Sequence, residues 1–282
     1  MNFTFTESSF TSARNLNIYT REYIPHGDFS TVFLFLHGVG EHCSRFHEFF
    51  SFMATQPMAV FAMDHQGHGK SGGERFDVDR FESFLEDINQ FAGLIRDRFQ
   101  DKPVKFIVGG ISFGGLLAAN VASMNVHTWD GVLLLAPAMG VEMHGVLKVQ
   151  KSVAPLINLL VPKWKLVPAV ILEDLSRNPE FLKDYDSDEL NSHGNLRVRL
   201  AFEISRGMEL AKERESAMTA PLFILHGDKD VVTSPRLSKE YFDRVPSAKK
   251  SYESLTGQFH CILNEPEREA NIALMTNWMH AL

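Results

Sequence analysis

Short, almost wholly apolar runs recur along this chain, each ended by turn residues and followed by a helical pattern. Met58–Met63, Val104–Gly109, Val132–Ala136 and Leu222–Leu225 are such runs, and Asn15–Ile24 and Thr31–Leu36 read as earlier strands. Runs without polar alternation suit strands buried on both faces of a parallel sheet. Between them lie helices. Phe81, Phe84, Leu85, Ile88, Phe91, Leu94 and Ile95 fall on one helical face, and Pro266 opens a last helix carrying Ala270, Leu274 and Trp278. Strands alternating with helices imply an α/β architecture, with a mostly parallel central sheet flanked by helices.

One stretch breaks the alternation. From about Met139 to Met218 no strand pattern stands out. Gly145–Val167 is apolar, dotted with Lys148, Lys151, Lys163 and Lys165 and interrupted by Pro155, Pro162 and Pro168. The expected organisation is therefore a core made of residues 1–138 and 219–282 with a helical cap, 139–218, inserted between two strands. The cap's apolar and basic character suits a greasy substrate or peripheral contact with a lipid surface. An ordinary amphipathic helix packed on the core is the simpler alternative.

Bulk properties narrow the function. The 282 residues include 23 phenylalanines, which fill a core or line an apolar pocket, and the net charge of −7 argues against a nucleic-acid partner. Two cysteines, Cys43 and Cys261, form neither a zinc pattern nor a disulfide framework, as expected of free thiols in a reducing cytoplasm. MNFTFTESSF lacks a signal-peptide pattern, and no apolar run reaches the ~18 residues of a membrane span. Oligomeric state leaves no trace in the sequence.

The strongest chemical motif is Gly110-Ile111-Ser112-Phe113-Gly114. It lies between the strand-like VKFIVGG and the helix-like FGGLLAANVASM, so Ser112 occupies a tight strand-to-helix turn that projects its hydroxyl. The pentapeptide alone is weak evidence, since about one chain in ten of this length matches by chance. Gly69-Lys70-Ser71-Gly72-Gly73 matches too, but no strand leads into it and no apolar helix follows. It is no phosphate loop either, because Asp64 stands where the first glycine belongs.

A serine nucleophile needs an oxyanion hole, a base and an acid. Thr31–Leu36 runs into His37-Gly38-Val39-Gly40-Glu41-His42, whose glycines free the backbone to turn amides toward a substrate. The N–H groups of Val39 and Phe113 are the expected oxyanion donors. His37 and His42 as metal ligands would need a carboxylate-histidine helix pattern that is absent here. Among twelve histidines, His260 is favoured as base because it precedes the final helix, in the Ser–acid–His order of this type of site. Leu222–Leu225 leads into His226-Gly227-Asp228-Lys229-Asp230, and both Asp228 and Asp230 qualify by position as the acid. Either could instead cap the following turn. A base at His260 must be neutral to work, so activity is expected to fall on acidification.

Taken together, HGVGEH at 37–42, DHQGHGKSGG at 64–73, GISFGG at 110–115, YDSDEL at 185–190, HGDKD at 226–230 and His260 resemble the monoglyceride lipase and lysophospholipase group of α/β-hydrolases, from about residue 15 to the C-terminus. The resemblance implies the α/β-hydrolase fold and a triad of Ser112, Asp230 (rather than Asp228) and His260, with oxyanion donors at Val39 and Phe113. It further implies an apolar helical cap and cofactor-free hydrolysis of long-chain esters, monoacylglycerols or lysophospholipids. Short-chain esterase, amidase and peptidase chemistry on the same fold is the alternative, and a non-catalytic binding protein a more distant one. One departure is Ile111, where the group commonly has histidine. Another is Cys261 directly after the base. Cys43 and Cys261 are expected near the catalytic centre, either as inert packing thiols or as points where thiol reagents crowd the site.

Overall fold

In the computed structural model, which describes residues 2–142, 145–168 and 170–282 (side chains 145–152 excepted), the main-chain elements run in the following order. First come β1 (Phe3–Thr11), β2 (Asn17–Pro25), β3 (Thr31–Leu36), α1 (His47–Met53), β4 (Met58–Met63), α2 (Glu82–Arg98), β5 (Lys105–Ile111), α3 (Phe113–Ser123) and β6 (Gly131–Leu135). Next are α4 (Gly145–Leu160), β7 (Lys165–Val167), α5 (Pro179–Ser187), β8 (Leu196–Arg197) and α6 (Val198–Glu213). Last are β9 (Leu222–Gly227), α7 (Pro235–Arg244), β10 (Lys250–Leu255) and α8 (Arg268–His280).

Eight strands form one sheet in the order β1-β2-β4-β3-β5-β6-β9-β10. β2 runs antiparallel to β1 and to β4, and every pair from β4 to β10 is parallel. The expected mostly parallel sheet is therefore present. Its apolar runs explain themselves through the period of two. On β3, Val32, Leu34 and Leu36 join one core cluster and Phe33 and Phe35 the other. On β9, Leu222 and Ile224 face the first cluster while Phe223 and Leu225 face the second. The first face is covered by residues of α2, α3 and α6, among them Phe84, Ile88, Leu116, Val121 and Leu200. The second is covered by α1 and α8 through Phe49, Phe50, Met275 and Met279. Much of the phenylalanine excess is thus core filling on both faces.

Both edge strands escaped the pattern analysis. β1 is exposed along most of its length, and β10 (KSYESL) buries only Leu255 fully. Among its described residues the segment between β6 and β9 adds no strand to the main sheet, but it does contain a two-stranded antiparallel ribbon, β7 with β8, where none was expected. Strands of three and two residues are too short to show a period. α4 also continues through Pro155, which was expected to interrupt it. A proline there removes one N–H from the helical ladder. The expected roles of Lys148 and Lys151 fall on side chains outside the described ones.

The parallel strands deliver their C-terminal ends to one edge of the sheet. His37 follows β3, Asp64 follows β4, Ser112 follows β5, Ala136 follows β6, and Asp230 and His260 lie in the loops after β9 and β10. That edge is where ligands bind in open α/β sheets.

Candidate active site

Ser112 sits at the junction of β5 and α3 with φ 55° and ψ −118°, a backbone conformation that non-glycine residues rarely hold. Such a residue costs about 1–3 kcal/mol and persists only where its surroundings fix it. Here its N–H donates to Leu135 O (2.9 Å), and its carbonyl accepts from Leu116 N and Ala138 N (both 3.1 Å). The flanking glycines make the turn possible. A Cβ at Gly114 would lie 2.0 Å from Leu36 O, and one at Gly110 would lie 2.5 Å from the backbone of Gly114. Helix α3 therefore starts hard against the end of β3, which brings the 37–42 loop to the serine. A Cβ at Gly38 would be 3.5 Å from Ser112 Cβ.

The two aspartates separate cleanly. His260 Nδ1 lies 2.7 Å from Asp230 Oδ2, both side chains being buried. Asp228 instead accepts the Gly257 N–H at 2.7 Å and serves the turn after β10. Asp230 is held from several directions. Its Oδ1 accepts the N–H of Val232 (2.8 Å) and Thr233 (3.0 Å). Its Oδ2 also lies 3.1 Å from His226 Nε2 and 2.8 Å from Thr233 Oγ1. Burial, the largest single influence, disfavours its charge. The opposing charge of His260 and the hydrogen bonds from His226 and His260 outweigh it, and hold the carboxyl far below the usual carboxylate range.

Thr233 Oγ1 also reaches Ala136 O (3.0 Å) and His260 Nδ1 (3.3 Å), tying the acid and histidine loops to the end of β6, next to the strand that ends in Ser112. Ser112, Asp230 and His260 are 8%, 6% and 4% exposed, so the centre is largely covered. Among the described residues, no hydrogen bond joins Ser112 Oγ to His260 in this conformation. The N–H groups of Val39 and Phe113 have no acceptor among the described residues, Phe113 being the first residue of α3.

The 37–42 loop is braced from beneath. Glu41 Oε1 accepts the Gly38 N–H at 2.7 Å. Burial keeps its carboxyl above the usual range, against the pull of Gly38, Arg45, His42 and His260. His37 Nδ1 donates to Gly38 O (2.7 Å), and its Nε2 accepts the His65 N–H (3.0 Å). Asp64 accepts the N–H of Cys43 (2.8 Å) and of Lys70 (2.7 Å). Ser71 of the second G-x-S-x-G match donates to Asp64 O at 2.6 Å, a structural tie within this brace. Burial pushes His65 down to about 3 and His68 to about 4, and takes His37 well below its ordinary value. Among the described residues no cluster of three or more His, Cys, Asp or Glu is arranged to hold a metal ion.

The inserted segment closes on the same loop. Asp188 takes hydrogen bonds from His42 Nε2 and Arg45 Nη1, both at 2.9 Å, and Ser192 N donates to Gly40 O at 2.7 Å. Cys43 and Cys261 are both buried, and burial raises both thiols well above their ordinary range, with Asp64 adding for Cys43 and Glu41 for Cys261. That environment favours inert packing thiols.

These features have counterparts in known proteins. The pattern of the family described as serine aminopeptidase, S33, matches residues 28–267. This chain belongs to that family. It is 30% identical over 281 residues to the monoacylglycerol lipase of Mycolicibacterium smegmatis, covering 98% of this chain and 97% of that one. The crystal structure of the Paleococcus ferrophilus monoacylglycerol lipase is 25% identical with a TM-score of 0.77, over 93% of this chain and 97% of that one. A soluble variant of the Saccharomyces cerevisiae monoglyceride lipase, solved with a substrate analogue, shares the fold at a TM-score of 0.86 and 18% identity, over 100% and 95% of the two chains. As an S33-family member with lipase relatives, the chain is a serine ester hydrolase of α/β-hydrolase fold.

Sequence reasoning passed over His226 and Thr233 as partners of Asp230, although both lie within four residues of it. An H-x-x-x-D or D-x-x-T spacing near a strand end is too common to single them out.

The two aspartates have different expected phenotypes. Asp230→Asn lowers kcat by about 10⁴-fold, the scale known for an acid that orients a catalytic imidazole. Asp228→Asn leaves kcat within about twofold; steady-state ester hydrolysis by the two variants checks both. A second outcome concerns acid stability. Because His37, His65 and His68 are harder to protonate folded than unfolded, the unfolded chain binds more protons below about 6.5. Their contribution is therefore fully present above that pH and is lost progressively as pH falls toward 3–4. Urea midpoints measured from pH 7 down to pH 4 should fall, and His65→Asn should flatten the slope.

Proposed function

We propose that this chain hydrolyses monoacylglycerols, the esters named in its lipase relatives, through an acyl-enzyme on Ser112. The observation that carries the proposal is the 2.7 Å contact between His260 and Asp230, tied through Thr233 to the end of β6, the same strand that accepts the N–H of the strained Ser112 turn. In this scheme His260 Nε2 takes the Ser112 proton while Oγ attacks the ester carbonyl. The catalytic contact forms when the ester is bound, since such hydrogen bonds commonly tighten only in the substrate complex. The amides of Val39 and Phe113 hold the negative oxygen, each worth roughly 3 kcal/mol of barrier. Protonated His260 then delivers its proton to the departing glycerol oxygen. Water, deprotonated by the same imidazole, releases the fatty acid. No step needs a cofactor or a metal.

Residues 139–218 serve as the lid of this site, over a core of 1–138 and 219–282. Two features support that role: Asp188 and Ser192 meet the 37–42 loop, and the segment carries the densest exposed apolar surface. Leu156, Leu159, Leu160, Trp164, Leu166 and Ile171 are each more than half exposed. With Lys165 beside them, they form a surface suited to the edge of a bilayer, where the substrate resides. No helix among the described residues is long and apolar enough to cross a membrane, so the contact proposed is peripheral.

A substrate panel tests the activity. Long-chain monoacylglycerol should be cleaved with a kcat/KM at least about tenfold above a butyrate ester and far above an aminoacyl anilide, and Ser112→Ala should abolish turnover while unfolding at the same temperature. Preference for the anilide would favour the peptidase chemistry that the family description names. For the lid surface, Leu159→Ser with Trp164→Ser should weaken sedimentation with anionic vesicles by about tenfold or more, while leaving cleavage of a water-soluble ester unchanged. Equal sedimentation of the two proteins contradicts the membrane role.

A further inference from the structure

Glu265 is a fully buried carboxylate five residues past His260, outside the proposed triad. Its Oε1 accepts from Ser176 Oγ and from Arg177 N, both at 2.7 Å. Its Oε2 accepts from Arg177 Nε at 2.5 Å and from Phe259 N at 3.2 Å. Two of these partners belong to the inserted segment, just before α5. The fourth bond ends on the residue preceding His260. On the other side of the histidine, Cys261 N donates to Leu175 O at 2.7 Å. Both amides that flank His260 are therefore used, one by Glu265 and the other by the insertion itself. Residues 175–177 and Glu265 together form a seat for the histidine loop.

The arrangement is too costly to be a passive surface pair. A carboxylate without solvent contact is tolerated only when its lone pairs are filled, and four donors fill them here. Burial opposes the charge, but the bonds from Ser176 and Arg177 hold the carboxyl below its ordinary range. Arg177 also pairs with Glu267, which draws the start of α8 into the same cluster.

We infer that Glu265 is a positioning residue for His260, and that through it the foot of the insertion, Leu175–Arg177, is part of the catalytic scaffold. The inference rests on the role proposed for His260. The consequence is a division of the insertion into two parts. Its foot stays fixed so that the imidazole keeps its alignment, and any opening that admits substrate takes place beyond residue 177 or before residue 175. Displacing the histidine by about 1 Å is enough to lower turnover about a hundredfold, so a loop fastened at both flanking amides has a direct kinetic value.

The test uses the full chain and the variants Glu265→Gln and Arg177→Met. Two quantities are read: kcat and KM for a water-soluble ester, and the low-field proton resonance of His260 Nδ1–H, assigned by its loss in His260→Gln. For Glu265→Gln, kcat should fall by about 10- to 100-fold with KM changed by less than about threefold, and the low-field resonance should shift or broaden. Arg177→Met should show the same pattern more weakly. The double variant should lose less than the product of the two, because both substitutions act through one seat. If kcat and the resonance are unchanged well below the unfolding temperature, even with that temperature lowered, Glu265 only stabilises the fold and the inference is overturned. Should Glu265→Gln fail to fold, Ser176→Ala and Arg177→Met decide the matter by the same two readouts. The proton resonance does not depend on ester cleavage, so it separates failure of this inference from failure of the proposed activity.

Discussion

A single residue forced into left-handed backbone space organises this molecule's working edge. Ser112 has a positive φ without being glycine, and three hydrogen bonds from β6, α3 and the segment after β6 keep it there. The turn is so tight that Gly110 and Gly114 have no room for a side chain. Because α3 must begin against Leu36 O, the loop after β3 has to pass beside the serine. Gly38 consequently packs on Ser112, and the residues that follow these two, Val39 and Phe113, carry amides with no acceptor among the described residues. The strain of the turn and the placement of a prospective anion site are one structural event.

The rest of the edge sets charge around that turn. Asp230 stays ionised because donors on all sides outweigh its burial. The buried histidines of this brace, His37, His65 and His68, are kept neutral by the opposite balance, since burial outweighs their backbone hydrogen bonds and, at His68, the charge of Asp64. One negative charge thus faces His260 directly, while the brace adds no positive charge that would compete for it. Glu41 complements this arrangement: its carboxyl bonds to Gly38 from a site that disfavours its ionisation. Among the described residues, the segment between β6 and β9 touches this edge at Asp188, on the 37–42 loop, and at Leu175–Arg177, on the histidine loop. It is consequently built into the site from both flanks of the crevice.

How much of this could be read from the sequence follows from where the information lies. The central strands were legible because β3, β4, β5, β6 and β9 are apolar on both faces, and glycines punctuate the passage from β5 into α3. β1 and β10 were not, since an edge strand half in solvent shows no continuous apolar run. The β7–β8 ribbon was too short for any pattern. In the site, position along the chain could not separate Asp228 from Asp230. They are two residues apart in one loop, and only the fold shows that the first turns to Gly257 and the second to His260. His226, Thr233 and Glu265 carried no signal of their own, because each matters through a contact that folding creates. The roles of Lys148 and Lys151 fall outside the described side chains.

The central claim is that the hydroxyl at the strained turn is the attacking group. The most direct measurement is to treat the active protein with a fluorophosphonate until ester cleavage stops, then locate the adduct by peptide mass spectrometry. The account predicts one phosphonyl group per chain, on the peptide containing Ser112, with modification and loss of activity advancing together. An inactivated protein with an unmodified Ser112 and the group on another residue would contradict it.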